Sequence, residues 1–175
     1  TASFMVLDAD TQRNLELIKS MRDRTEKGTL LEIIDNTVTS MGGRKLRQWI
    51  LQPLLEVDLV NTRLDAVEEL KNQIHLQEEL REALNQIYDI ERLITRISLG
   101  VSNGREMLSL KVSFQMVKPV QQSLAESQST LLQTLNDTLV ETAQVIDPLA
   151  NLIEEAIHPE PPNTITEGNL IKDGY

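Results

Sequence analysis

The stretch "LQEELREALNQIYDIERLITRI", Leu76 to Ile97, decides the fold. Leu76, Leu80, Ala83, Ile87, Ile90, Ile94 and Ile97 follow one another in alternating steps of four and three. That spacing is the 3.5-residue period of long packed helices and coiled coils, whereas a half-buried strand repeats every second residue. Asp89 sits inside the seam and can cap a second helix, dividing the stretch in two, and Gly100 ends it.

The same rhythm extends outward. Val60, Leu64 and Val67 carry it upstream from Asp58. Downstream, Asn103 and Glu106 in "NGREMLSLKVSF" have capping-box spacing, and Met107, Leu110 and Phe114 form a buried stripe. Pro119 is predicted to end that helix. A further helix is predicted over 129–145 with Leu131, Leu135 and Leu139 inward. Asp147–Pro148 reads as the start of a last helix bearing Leu149, Leu152, Ile153 and Ala156. "HPEPPNT" is irregular, and "ITEGNLIKDGY" reads as a turn between two extended pieces or the run-up to further structure.

Toward the N-terminus, Asp8 or Asp10 can cap a helix through "TQRNLELIKSMRD", with Leu15, Ile18 and Met21 on one side. Residues 22–28 form a charged loop ending at Gly28. Thr29 caps a short apolar helix, and 36–43 read as a turn. A helix over 44–52 sets Leu46, Trp49 and Ile50 against Arg44, Lys45, Arg47 and Gln48, until Pro53 stops it. The predicted fold is all-α, a multi-helix bundle with long packed helices.

Composition agrees. The 175 residues are rich in Leu and hold only 3% aromatics and seven glycines. Such a chain fits one domain and hides roughly 70% of its unfolded surface. Without cysteine, disulfides and thiolate metal sites are excluded, and a reducing, cytoplasmic setting is expected. No apolar run reaches the roughly 20 residues that span a bilayer, so no membrane partner is expected. The net charge is −10, and beyond Val120 the only base is Lys172, against nine acids. Such a surface repels phosphate backbones, so DNA binding by this chain alone should be weak.

No catalytic constellation stands out. "MGGRKL" lacks the Gly-x4-Gly-Lys-Ser/Thr of a phosphate-binding loop. Gly42–Gly43 reads as a turn needing positive φ, or less readily as an anion site. Arg44, Lys45 and Arg47 are the candidates for a weak DNA-backbone contact, or else a solvated helix face. Asp8 and Asp10 read as cap before metal ligands, and His75 with Glu79 as a solvated face before a metal pair. In "YDIERL", Asp89 is a cap and Arg92 is expected to pair with a neighbouring acid. No catalytic, cofactor or metal residue is assigned.

Taken in order, "FMVLDADTQRNLEL", "GTLLEIIDNTVTSMGGRKLRQWILQPL", "RLDAVEEL", "YDIERLITRISLG", "LANLIEEAI" and "EGNLIKDGY" resemble the core (lever) domain of the MutS family of DNA mismatch repair ATPases. The likeness runs from Phe4 to Tyr175. "SNGREML" departs from the Pro-Arg-Asp-Leu usual in bacterial members, which points to another branch, an archaeal one being the candidate.

The resemblance implies that residues 1–175 are one helical core domain, the first half, truncated before the clamp as an excised piece. The implied role is mechanical: long helices link the ATPase domain to the DNA clamp. ATP and magnesium are then expected in a separate domain of the parent protein, with no cofactor here, and mismatches are read by another domain. Implied partners are the clamp, connector and ATPase domains, and DNA through the parent. A homodimer covering apolar faces left open, along 76–97 or on the helix of Leu149, Leu152 and Ile153, is a further expectation. The alternative readings are an autonomous helical protein-interaction domain, or the core of a paralogue without mismatch reading.

Overall fold

The computed structural model describes residues 4–175, without the side chain of Ile165. Their regular structure is helical, with two isolated antiparallel bridges and no longer strand among them. The chain divides into two compact units, the division falling between Asp65 and Ala66.

In the first unit, α1 (Ala9–Asn14) is capped by Asp8, whose Oδ1 accepts from the Thr11 amide at 2.7 Å. The predicted helix to Asp23 stops nine residues early, since α1 ends at Asn14 and Glu16 is left-handed with φ 46°. The reason is tertiary. The turn buries Leu17 rather than Leu15, and Glu16 and Leu17 accept the amides of Leu30 and Leu31 at the start of the next helix.

That helix, α2 (Leu30–Ile34), is capped as predicted by Thr29. Thr29 is fully buried, and its hydroxyl donates to the Glu26 carbonyl while accepting from the Glu32 amide.

The glycine pair is not a turn. α3 (Ser40–Leu51) is capped by Thr39, so Gly42 and Gly43 lie in its first turn, and neither has positive φ. Close approach explains Gly42: a Cβ there would stand 3.0 Å from Thr39 Oγ1, the atom that caps the helix. Pro53 follows the end of α3 as expected, and the chain returns beside Phe4 through the Phe4–Leu54 bridge.

α4 (Val57–Asn72) crosses the division. Its Val60, Leu64 and Val67 are exposed, and Ala66 and Leu70 meet the core instead.

The second unit contains α5 (Ile74–Asn85), α6 (Ile90–Ser98), α7 (Gly104–Gln115), α8 (Val117–Leu124) and α9 (Thr130–Ala156). Asp89 divides the opening seam by capping α6. Leu76, Leu80 and Ala83 go to one apolar cluster with Ala66, Val120, Leu124 and Leu132. Leu93, flanked by Ile90 and Ile97, goes to a second with Leu110, Phe114, Ile146, Ala150 and Ile153. Ile94 is exposed. Leu139 of α9 packs against both clusters, and both α7 and α8 lie on α9, which is the spine of the unit.

Both proline signals resolve differently from the sequence reading. Pro119 sits in the first turn of α8, where its missing N–H is not needed, and α7 ends at Gln115, the residue whose carbonyl Pro119 could not serve. Pro148 starts nothing. α9 runs through it as one helix of 27 residues. An interior proline costs about 3 kcal/mol, but Ile146, Ala150, Ile153 and Ala156 are buried on one continuous stripe to either side of it. Breaking the helix there would forfeit half of that stripe.

After α9 the chain reverses through a short 3-10 turn, Ile165–Glu167, and pairs Ile157 with Ile171. Of the two extended pieces anticipated within 165–175, the structure has the single bridging residue Ile171, and its partner Ile157 lies before that stretch, at the end of α9.

Candidate functional site

The three basic residues singled out on α3 have different surroundings. Arg47 is half-exposed and pairs with Glu26. Asp35 lies near enough to feel Arg47 as well. Its carboxyl is held below the usual range first by the Thr37 hydroxyl, then by the Thr37 amide, with Arg47 adding to the effect. Arg47 therefore faces two carboxylates, which suits it poorly to a phosphate.

Lys45 is exposed, and its Nζ stands 3.4 Å from Gln48 Oε1. It lines a small cleft with Phe4, Gln48, Trp49, Gln52 and Arg63. Arg63, from α4, lies over the Trp49 ring at 3.8 Å from its centroid, a cation–π stack. Arg44 is exposed. The cationic spot that forms is thus Lys45 with Arg63 around Trp49. Arg63 was invisible to sequence reasoning because it comes from another helix, fourteen positions from Trp49.

The remaining candidates are structural. Asp8 caps α1, and Asp10 pairs with Arg13 at 2.7 Å. His75 and Glu79 are exposed on α5. Among the described residues no three His, Cys, Asp or Glu gather as a metal site. Arg96 stands 2.6 Å from Glu106, which also completes the capping box of α7, and donates to the Val101 carbonyl. It thereby fixes the corner between α6 and α7.

The clearest designed feature is α9, which is tied down at both ends. At its start, Glu69 of α4 accepts from the amides of Gln128 and Ser129. Burial alone pushes the Glu69 carboxyl up, but these amides more than offset it and bring it below its ordinary value. At the far end, Lys172 Nζ donates to the Glu154 carbonyl, and Lys111 of α7 pairs with the Glu154 carboxylate. The Lys111 hydrogen bond, then its charge, then that of Lys172 hold the Glu154 carboxyl below its usual range. Sequence periodicity could not reveal either tie, since each joins residues distant along the chain. Together they hold α9 at both ends.

Comparison with known proteins agrees with this architecture. The family model described as MutS domain III matches residues 10–173. The DNA mismatch repair protein MutS of Ruminiclostridium cellulolyticum is 44% identical over 172 residues, covering 98% of this chain and 19% of that protein. Those of Halothermothrix orenii and Methanosarcina barkeri are each 43% identical, covering 98% and 99% of this chain and 19% of their own lengths. Bacterial and archaeal relatives match equally well, so identity singles out neither branch. The chain spans about a fifth of the length of the curated relatives it matches. On the family match and the helical core that accompanies it, the chain belongs to the MutS domain III family.

Proposed function

We propose that this chain is the lever module of a DNA mismatch recognition ATPase, linking nucleotide state in one domain to the grip on DNA in another. The observation that carries the reading is α9. It is one helix of 27 residues, about 40 Å long at 1.5 Å per residue, continuous through Pro148 and anchored at both ends. A strut of that stiffness can carry a coupling free energy, typically 1–3 kcal/mol, between sites that never touch. ATP and magnesium belong to the parent's ATPase domain in this reading. DNA is reached through the parent, with Lys45 and Arg63 as the weak backbone contact of this module.

The test uses the intact parent protein. Three flexible residues, Gly-Ser-Gly, inserted after Thr142 interrupt α9 between its two anchors. The expected result is unchanged nucleotide affinity and basal hydrolysis, with loss of the mismatch-dependent change in ATPase rate and of ATP-driven release from mismatched duplex. Full coupling across the insertion, in a folded protein, would refute the lever role.

A further inference from the structure

α9 carries a second apolar seam, beside its buried stripe and largely open to solvent. Leu135, Thr138, Thr142, Val145, Leu149 and Leu152 follow one another in steps of three and four. Leu135 and Leu149 are each 45% exposed, Leu152 48% and Val145 66%. The buried stripe of Leu132, Ile146, Ala150 and Ile153 is a different face. The two threonines do not interrupt the seam. Thr138 donates its hydroxyl to the Thr134 carbonyl and Thr142 to that of Thr138, so a neighbour lying over them strands no donor.

Charge states what kind of neighbour fits. α9 contains no Lys or Arg. On the solvent flank of the seam lie Glu141 and Glu155, two heptads apart, with Asp137 beside them. All three are exposed, without an ion-pair partner among the described residues. Pairing α9 with a second α9 sets acid against acid along this flank, so a symmetric α9–α9 contact is opposed. A helix with bases on its flank is favoured, since flanking charges set partner choice in helix pairs.

We propose that this face of α9 docks an amphipathic partner helix with an apolar heptad seam flanked by Lys or Arg facing Glu141 and Glu155. The inference stands apart from the lever reading, because it rests on the seam and its flank alone.

The experiment takes the chain as it is, with two three-heptad peptides bearing Leu at both seam positions. One carries Lys at the flanking positions and the other Glu. Binding is followed by calorimetry at physiological salt. The Lys peptide is expected to bind at least about tenfold more tightly than the Glu peptide. Leu149→Asp and Val145→Asp, at exposed positions, should each weaken it about tenfold with helicity unchanged. The double change Glu141→Lys and Glu155→Lys should reverse the preference. Non-specific attraction between a basic peptide and a chain of charge −10 would instead strengthen with Leu149→Asp, and that result overturns the proposal. So does binding of neither peptide, or a homodimer in sedimentation that Leu149→Asp dissolves.

Discussion

Glu69 Oε2 accepts the backbone amide of Ser129 at 2.7 Å, so the longest helix of the molecule is capped by a residue sixty positions upstream. Ser129 is positioned as the N-cap but makes no side-chain cap bond of its own. Glu69 holds the Gln128 amide as well, at 2.8 Å. Removing it with Glu69→Ala should cost about 1 kcal/mol, the usual value of a lost cap, read as a lower denaturant midpoint. Ser129→Asp in that background should restore part of the loss by supplying a local cap. No change for Glu69→Ala would mean that water replaces the carboxylate without penalty.

The same contact gives a pH dependence. Glu69 has a folded pKa below its unfolded one. Its contribution is therefore complete above the ordinary glutamate range and declines as pH falls through that range toward the lowered folded value. Chemical denaturation at neutral pH and in acid should show a smaller acid loss in Glu69→Gln than in the natural chain. An equal loss in both would assign the acid sensitivity to other carboxylates.

Gly42 and Gly43, adjacent in the first turn of α3, should respond differently to the same change. A Cβ on Gly43 comes no closer than 3.4 Å to Thr37 Oγ1, an ordinary contact, so Gly43→Ala should stabilise by about 0.5–1 kcal/mol through helix propensity. At Gly42 the added atom crowds the capping hydroxyl of Thr39 at 3.0 Å, and the gain should vanish. Thermal unfolding of both variants checks this, and equal stabilisation would show that the cap yields freely.

These glycines also show where sequence reasoning stopped. Asp8, Thr29, Asp89 and the Asn103–Glu106 box were legible because a cap is a contact over two or three residues. The period from Leu76 to Ile97 was legible because burial imposes it. Asp147–Pro148 and the early end of α1 were misread because each local preference yields to something distant: the stripe along α9, or the docking of Leu30 and Leu31. Gly42–Gly43 was misread although its cap is local, because the glycine pair reads as a turn signal while Thr39, three residues before Gly42, starts the helix ahead of it. The Arg63–Trp49 stack and the Glu69 tie join separate elements, which no spacing rule encodes.

Pro148 allows a direct measure of that override. Pro148→Ala returns an N–H to the Gln144 carbonyl and removes the ring from the helix interior, worth about 3 kcal/mol, less about 1 for a freer unfolded chain. The variant should therefore be about 2 kcal/mol more stable. A destabilised variant would show that the proline ring itself packs in a way that helps the fold.

For nucleic acid, the geometry distinguishes cations that look alike in sequence. Arg47 is answered by Glu26 and Asp35, whereas Lys45 and Arg63 share the cleft at Trp49. In duplex binding at low salt, Lys45→Ala and Arg63→Ala should each lower affinity and reduce the salt dependence by about one phosphate contact, while Arg47→Ala changes neither. Equal effects from all three would return the contact to an undifferentiated basic face.

Gly104 opens α7 where no cap rule requires a glycine. It is buried, and a Cβ there would lie 2.5 Å from Leu170 Cδ1 and 2.6 Å from Pro161 Cβ. The leucine end can swing aside, but the proline ring cannot. Gly104→Ala should thus cost about 1–3 kcal/mol as an overpacking change, despite the better helix propensity of alanine. The strain falls on the segment folded back along the end of α9, whose amides at His158 and Lys172 donate to Leu170 and Ala156. Hydrogen exchange at those two amides should accelerate more than exchange in α5, and adding Leu170→Ala should recover only part of the loss, because Pro161 remains. A neutral or stabilised Gly104→Ala variant would show that the segment from 157 to 171 rides loosely over α7, and that the tie at Lys172 alone holds it in place.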